Sequence, residues 1–303
     1  MIVCFDIGGS AIKAGTAYAP GDIRPFARVS TPLSDFSAFV GAIEALIGQS
    51  GALPGSGIAI SVTGVIDPAT GRIKCANIPC IDGRTLAADL EQRLRCPVLI
   101  ANDADCFALA EAGAGAGRGH RIVFGAILGT GVGGGLVIDG KLLAGAGGFA
   151  GEWGHGPVAA TRAGNPPVDI PLFPCGCGQV GCLDTVGAAR GIERLHSHLH
   201  GTDLASTAII SAWEKGDIDA ERTVDCYVDL VAGPLALVLN VIGADIVPTG
   251  GGLANSHRLL ARLDAAVRGR TLRAAPDPIV VPAQCLVEPG LIGAGILGLG
   301  EFA

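Results

Sequence analysis

Residues 2–18 read Ile2-Val3-Cys4-Phe5-Asp6-Ile7-Gly8-Gly9-Ser10-Ala11-Ile12-Lys13-Ala14-Gly15-Thr16-Ala17-Tyr18. Residues 122–138 return to the same pattern: Ile122–Leu128 is apolar, Gly129-Thr130-Gly131-Val132-Gly133-Gly134-Gly135 is glycine-rich, and Leu136–Ile138 is apolar again. In the first copy Ile2–Phe5 reads as a strand, Asp6–Ser10 as a tight turn and Ile12–Tyr18 as the returning strand. In the second copy the strands are Ile122–Leu128 and Leu136–Ile138, with Gly129–Gly135 as the turn. One such unit near the start of each half predicts two related lobes. Glycine turns expose consecutive backbone N–H groups and let phosphate oxygens approach, because no Cβ intervenes. An ordinary flexible hairpin explains either turn alone; the pair together favours a split phosphate clamp. Neither turn has the Walker A spacing with its Lys or the dinucleotide spacing with its downstream acid. Asp6 adds a carboxylate suited to Mg²⁺.

Between the two units, Phe36, Phe39, Val40, Ile43, Leu46 and Ile47 recur at helical spacing over Asp35–Ser50. Ser34 or Asp35 can cap the start and Gly51 can end it. Leu86, Leu90 and Leu94 make a second stripe, stopped by Pro97. Val98–Ala101 then reads as a buried strand that delivers Asn102-Asp103 at its carboxyl end, where α/β proteins place ligands. A helix starts near Ala104. The pair could be no more than a helix cap, or Asp103 could serve as a general base at the floor of a cleft. Further on, Leu142–Asp184 is rich in loops. Helices are predicted near Ala188–Leu199, Thr207–Lys215, Ala220–Ile242, Ser256–Val267 and Pro289–Leu299, and a strand at Asp245–Thr249 runs into Gly250-Gly251-Gly252. Strands alternating with helices imply an α/β fold.

The 303 residues allow one large domain or two. With 49% apolar and 16% charged residues, the chain is not intrinsically disordered. A net charge of −7, with no Lys/Arg run to offset it, opposes binding to nucleic acid. The uncharged stretches Ile122–Ile138 and Leu230–Ala244 are shorter than the ~20 residues of a membrane span. The N-terminus lacks a basic region and a long apolar run, so a cytoplasmic protein without a signal peptide is expected.

The sharpest local signal is Cys175-Gly176-Cys177-Gly178-Gln179-Val180-Gly181-Cys182, three thiols within eight residues on a glycine-rich knuckle. His155 lies upstream in Gly151-Glu152-Trp153-Gly154-His155. One His and three Cys make the closed tetrahedral set of structural zinc. A free-thiol loop or a redox pair is the alternative, but Cys175 and Cys177 lack the C-x-x-C spacing. The other seven cysteines are read as core thiols. His196, His198 and His200 have no companion ligand in a motif and read as a solvated helix end.

Taken together, Asp6–Ser10, the Gly129–Gly135 loop, Glu152-x-Gly154-His155, the Cys175–Cys182 knuckle and Gly250–Gly252 resemble, in this order, the ROK family of repressors and sugar kinases. The resemblance spans almost the whole chain. Within that family, Asn102–Leu109 and Pro174–Cys177 look most like bacterial N-acetyl-D-glucosamine kinases. The resemblance implies a two-lobed, actin-like (ribonuclease H-like) α/β sugar-kinase fold with an interlobe cleft and a zinc knuckle. It places the lobes at 1–117 and 118–288, with the helix 289–303 returning to the first. It implies Asp103 as the catalytic base, with Gly64, Asn102, Asp103, Glu152, His155 and Asp184 on the sugar. His155, Cys175, Cys177 and Cys182 would bind structural Zn²⁺. Asp6, Gly8, Gly9, Ser10 and Gly129, Thr130, Gly131, Val132, Gly133, Gly134 and Gly135 would hold the phosphates of ATP with Mg²⁺, and Gly250, Gly251 and Gly252 would lie by the adenosine. A homodimer is a possible assembly.

There are departures from the family pattern. Asp184 stands where the family usually has Glu, so it either reaches the sugar with a shorter arm or caps the helix after the knuckle. Ser10 replaces the usual Thr and keeps the hydroxyl. Pro248 replaces an aliphatic residue and predicts that its strand is an edge or already turning. The expected activity is ATP-dependent phosphorylation of O6 of N-acetyl-D-glucosamine. Glucose or N-acetylmannosamine is the alternative substrate. A repressor would need a DNA-binding module before Asp6, where only five residues stand. A zinc-stapled sugar-binding protein without catalysis is the third class.

Overall fold

The computed structural model describes residues 1–67 and 69–302. In chain order the first elements are β1 (Ile2–Ile7), β2 (Ala11–Ala19), β3 (Asp22–Ser30), α1 (Phe36–Gln49), β4 (Ile58–Val62), the short β5 (Val65–Ile66) and β6 (Ile73–Lys74), α2 (Leu86–Leu94), β7 (Val98–Asn102) and α3 (Asp103–Ala114). Then come β8 (Ile122–Leu128), β9 (Val132–Ile138), β10 (Lys141–Leu142), β11 (Arg162–Ala163), β12 (Val168–Asp169), α4 (Asp184–Gly187), α5 (Ala189–His200), α6 (Ser206–Glu214), α7 (Ile218–Ile242), β13 (Val247–Gly250), α8 (His257–Arg268), β14 (Val280–Pro282) and α9 (Pro289–Phe302). Ala303, the last residue of the expected terminal helix, lies outside the described residues. Contacts group Met1–Arg121, Gly135–Gly151 and Gln284–Ala303 into one compact unit, and Ile122–Gly134 with Glu152–Ala283 into a second.

The strand–turn–strand duplication extends to whole sheets. The first sheet has the order β3-β2-β1-β4-β7, with β1, β2 and β3 antiparallel and β4 and β7 parallel to β1. The second repeats it as β10-β9-β8-β13-β14, with β10 antiparallel to β9 and β13 parallel to both β8 and β14. Sequence reading found the opening hairpin of each sheet but not β3, β10 or β14. Nor does it mark β4, Ile58–Val62, apolar but for Ser61, which pairs with β1 on one side and β7 on the other.

Side-chain alternation along β1 divides the first unit's core. Val3, Phe5 and Ile7 face the cluster built with Phe39, Val40 and Ile43 of α1 and with Leu86 and Leu90 of α2. Ile2 and Cys4 face the other way, onto Cys106 of α3 and onto Leu291 and Ala294 of α9. Asp6 shares this second face by the same period of two. The glycines of α9 let it come close: a Cβ at Gly293 would collide with the carbonyl of Cys106. Asp35 starts α1 by accepting the N–H groups of Ser37 and Ala38.

Three local expectations need correction. The turn of the second hairpin is only Gly129–Gly131, because Val132–Gly135 already belong to β9. Pro248 is not on an edge: β13 lies between β8 and β14. The β8 ladder tolerates it by skipping, with Ile246 bridging Val123 and pairing resuming at Thr249 with Ala126. On the β14 side the N–H of Val247 donates to the carbonyl of Ile279, so the missing donor of Pro248 interrupts one ladder only. His196 is buried, with Nδ1 2.9 Å from Thr223 Oγ1, because α7 covers that face of α5. Helix α7 is long and apolar enough to cross a membrane by length and composition, and half of its most apolar stretch is buried. It packs on α5, α6 and α8, as a core helix does.

Candidate functional site

In the first unit, the carboxyl ends of three parallel strands bring Gly64, Asn102 and Asp103, three of the six residues expected on the sugar, to one edge. Beyond β1 lies the Gly8–Ser10 turn, closed by the Gly8 N–H donating to the carbonyl of Ala11. Thr31 Oγ1 donates to the Gly8 carbonyl at 2.6 Å and holds the turn from outside. Beyond β4, Gly64 has φ +153°, and a Cβ there would meet the carbonyl of Lys74 at 2.8 Å. Beyond β7 stand Asn102 and Asp103. Asn102 Oδ1 accepts the N–H of Asp105 at 2.6 Å, so the cap reading holds for Asn102, whose oxygen starts α3.

Asp103 Oδ1 accepts the N–H of Ala104 at 3.0 Å. The residue remains open to solvent, yet protein crowds its carboxyl group. Lost hydration raises its pKa above the ordinary 3.8, the Ala104 N–H opposes that, and the negative charge of Asp6 adds to the rise. A carboxylate made more basic in this way is suited to taking a proton from a hydroxyl. Asp6 is fixed from two sides. Its Oδ2 accepts from Lys13 Nζ at 3.0 Å. A Cβ at Gly290, in the first turn of α9, would sit 2.5 Å from its Oδ1.

In the second unit, β8 and β13 run parallel and their carboxyl ends deliver two glycine turns side by side. The Gly129 N–H donates to the Gly131 carbonyl at 3.0 Å, which closes the first turn. Gly251 has φ +92°, and a Cβ there would strike Leu128 and Gly129, so the second turn packs directly on the first. Gly252 then opens a short 3-10 turn through Asn255. Backbone amides are thus concentrated at one end of this sheet, an arrangement that favours anions. Sequence reading assigned Asp184 to the sugar or to a helix cap. Leu183 stands at the cap position of α4, and Asp184 is the first residue of the helix itself. Its Oδ1 instead accepts the N–H of Val132 at 2.7 Å.

The knuckle closes on itself. The ligand atoms of His155, Cys175, Cys177 and Cys182 all lie within 4.8 Å of one another. Cys175 Sγ is 3.6 Å from His155 Nδ1, and Cys177 Sγ is 3.6 Å from Cys182 Sγ. A zinc–sulfur bond of about 2.3 Å implies a tetrahedral edge of about 3.8 Å, so these spacings fit zinc. Backbone bonds shape the loop: the Cys175 N–H donates to the Gln179 carbonyl, and the Gly178 N–H to the Cys175 carbonyl. Hydrogen bonding from the Gln179 backbone, with help from the neighbouring thiols and His155, brings the Cys177 thiol down to about 7. His155 Nε2 lies 3.8 Å from Glu152 Oε2, close enough for an ion pair but too far for a direct hydrogen bond. Cys4, Cys75, Cys106, Cys226 and Cys285 are buried as core thiols, and Cys80 and Cys96 are half-buried.

The sequence pattern of the ROK family matches residues 2–301. The chain belongs to the ROK family. It is 35% identical over 299 residues to an N-acetyl-D-glucosamine kinase of Salmonella newport (strain SL254), covering 98% of this chain and 99% of that one. Among solved structures it is similar to a ROK hexokinase from Thermus thermophilus, with a TM-score of 0.83 and 28% identity over 99% of this chain and 98% of the other. It also resembles a ROK family glucokinase from Streptomyces griseus in complex with glucose and AMPPNP, with a TM-score of 0.72 and 27% identity over 98% of both chains. The chain is an ATP-dependent hexose kinase of this family, with an α/β fold and a cysteine–histidine cluster compatible with zinc.

Proposed function

We propose that this ROK kinase transfers the γ-phosphoryl group of ATP to the 6-hydroxyl of N-acetyl-D-glucosamine, giving N-acetylglucosamine 6-phosphate and ADP. The observation that carries the choice of sugar is the 35% identity, over nearly the full length, to kinases named for N-acetyl-D-glucosamine. Asp103 takes the proton of the attacking hydroxyl as its oxygen bonds the γ-phosphorus and the bond to the bridging oxygen of ADP breaks. The raised basicity of Asp103 supports that role. Asn102, Gly64, Glu152 and His155 orient the sugar. The Gly8–Ser10 and Gly129–Gly131 turns hold phosphate oxygens through amides other than those of Gly8 and Gly129, which close the turns, and Gly250–Gly252 borders the adenosine.

Asp6 would hold Mg²⁺ with the phosphates. Mg²⁺ supplies neutralisation of phosphate charge. His155, Cys175, Cys177 and Cys182 would hold zinc, which supplies no chemistry and staples the loop carrying Glu152 and His155. Glucose is the second substrate to test, because a glucokinase is among the similar structures. The test is sugar-dependent ADP release with N-acetylglucosamine, glucose and N-acetylmannosamine in parallel. The highest kcat/KM is expected for N-acetylglucosamine, and a clear preference for either other sugar overturns the substrate.

A further inference from the structure

We infer that Asp184 is a positioning residue for the Gly129–Gly131 turn, held through Val132 at the start of β9, and so acts on nucleotide binding rather than on the sugar. The inference rests on the proposed role of that turn in holding phosphates. Asp184 Oδ1 accepts the N–H of Val132 at 2.7 Å. A Cβ on Gly131 would lie 2.9 Å from the same oxygen, so the turn is seated directly on this carboxylate. The next residues complete the seat. The Ala189 N–H donates to the Gly129 carbonyl at 2.8 Å, which pins the turn at its other end. A Cβ on Gly187 would touch Val132 Cγ2 at 3.2 Å, and one on Gly154 would collide with the Val132 carbonyl.

Asp184 is itself placed by its backbone: its N–H donates to the Gly154 carbonyl at 2.8 Å. It follows Cys182 of the knuckle by two residues. The segment 184–189 therefore holds both ends of the glycine turn, one through a side chain and one through the main chain. Glycine turns have few intrinsic restraints, so a turn that must present amides in one geometry needs them from outside. The shorter Asp fits this seat. A Glu would carry its carboxylate one methylene further, past the Val132 N–H that Asp184 Oδ1 accepts.

The test compares Asp184→Ala, Asp184→Asn and Asp184→Glu with the wild type. It measures the Kd for Mg·ADP without sugar by calorimetry, KM for ATP and for sugar, and zinc content by metal analysis. Losing a hydrogen bond to a charged acceptor corresponds to about tenfold or more in binding. Asp184→Ala and Asp184→Glu are expected to weaken ADP and raise KM for ATP by about that factor, with sugar KM changed less than about twofold and zinc retained. Asp184→Asn should recover most of the loss, because its amide oxygen can still accept the Val132 N–H. If Asp184→Ala does not fold, Asp184→Glu decides. Raised sugar KM with unchanged ADP affinity in Asp184→Ala, or normal ADP affinity in Asp184→Glu, overturns the inference. A wild type that binds sugar but neither binds ADP nor releases it overturns the kinase reading itself.

Discussion

Lys13 Nζ stands 3.0 Å from Asp6 Oδ2, directly across the β1–β2 pair, and 2.5 Å from Glu288 Oε2 at the entrance to α9. One ammonium thus holds two carboxylates that are 282 positions apart in number, 6 and 288. Glu288 has φ +51°, a left-handed conformation uncommon for a residue with a side chain, which turns the chain into the helix. The position of the Asp6 carboxylate therefore depends on the docking of the last helix.

Lys13→Met should leave Asp6 and Glu288 facing each other without a cation. All three side chains are mostly shielded from water, so a loss of about 1–2 kcal/mol is expected, between the values for exposed and buried pairs. Partial burial lowers the Lys13 pKa, but the bonds to Glu288 and Asp6 outweigh it and the net shift is upward from 10.5. A raised amine contributes stability that is fully present below 10.5 and lost as pH rises through the folded value. Melting curves should show a gap between wild type and variant at pH 7 that closes above pH 10.5 and also narrows as the carboxylates protonate in acid.

Asp103→Asn should lower kcat by about 10²–10⁴ with sugar affinity little changed, because the amide keeps the shape and loses the base. It should also raise the melting temperature at neutral pH. A carboxyl whose pKa is higher in the fold than in the unfolded chain costs stability when ionised, and the cost disappears once both states are protonated. The stability gain should therefore vanish below about pH 3. In the wild type, the acidic limb of the kcat/KM profile should lie above the ordinary 3.8 of aspartate.

Freshly purified protein should contain about one zinc per chain by elemental analysis. Cys177→Ser should lose metal and lower the melting temperature, since one thiolate of the tetrahedral set is gone. Affinity for sugar should fall with it, through the loop that carries Glu152 and His155. Protein without zinc, or a variant that retains a full equivalent, would remove the metal from the account.

Glu111→Ala should destabilise the fold by about 3–5 kcal/mol, read as a shift in denaturant midpoint. Its carboxylate is completely buried and accepts the N–H groups of Ala116, Gln284 and Cys285 at 2.7–3.2 Å. Alanine leaves those donors without an acceptor. Glu111→Gln keeps one oxygen and should cost less than half as much. Burial raises the Cys285 thiol to about 12, with Glu111 adding to the rise, so it should resist alkylation in the native wild type.

The sequence by itself determined the elements whose signals are local. The 3.6-residue stripe over Phe36–Ile47 gave α1 almost to the residue, and the apolar run Ile122–Leu128 gave β8. The spacing of Cys175, Cys177 and Cys182 located the knuckle whose geometry is compatible with zinc, because three thiols on one tight loop converge without help from the rest of the chain. Only the tertiary structure decided which partners the isolated polar groups take. Composition cannot say that Pro248 lies in an interior strand, since the ladder gap that admits it is made by β8. Nor can it say that Asp184 accepts the Val132 N–H beside the Gly129–Gly131 turn, or that Lys13 joins Asp6 to Glu288, since each bond links segments that only folding brings together. Periodicity and turn chemistry act over a few residues. Hydrogen-bond partners are chosen by distance in space, which the order of residues leaves open until the sheets are paired and the helices docked.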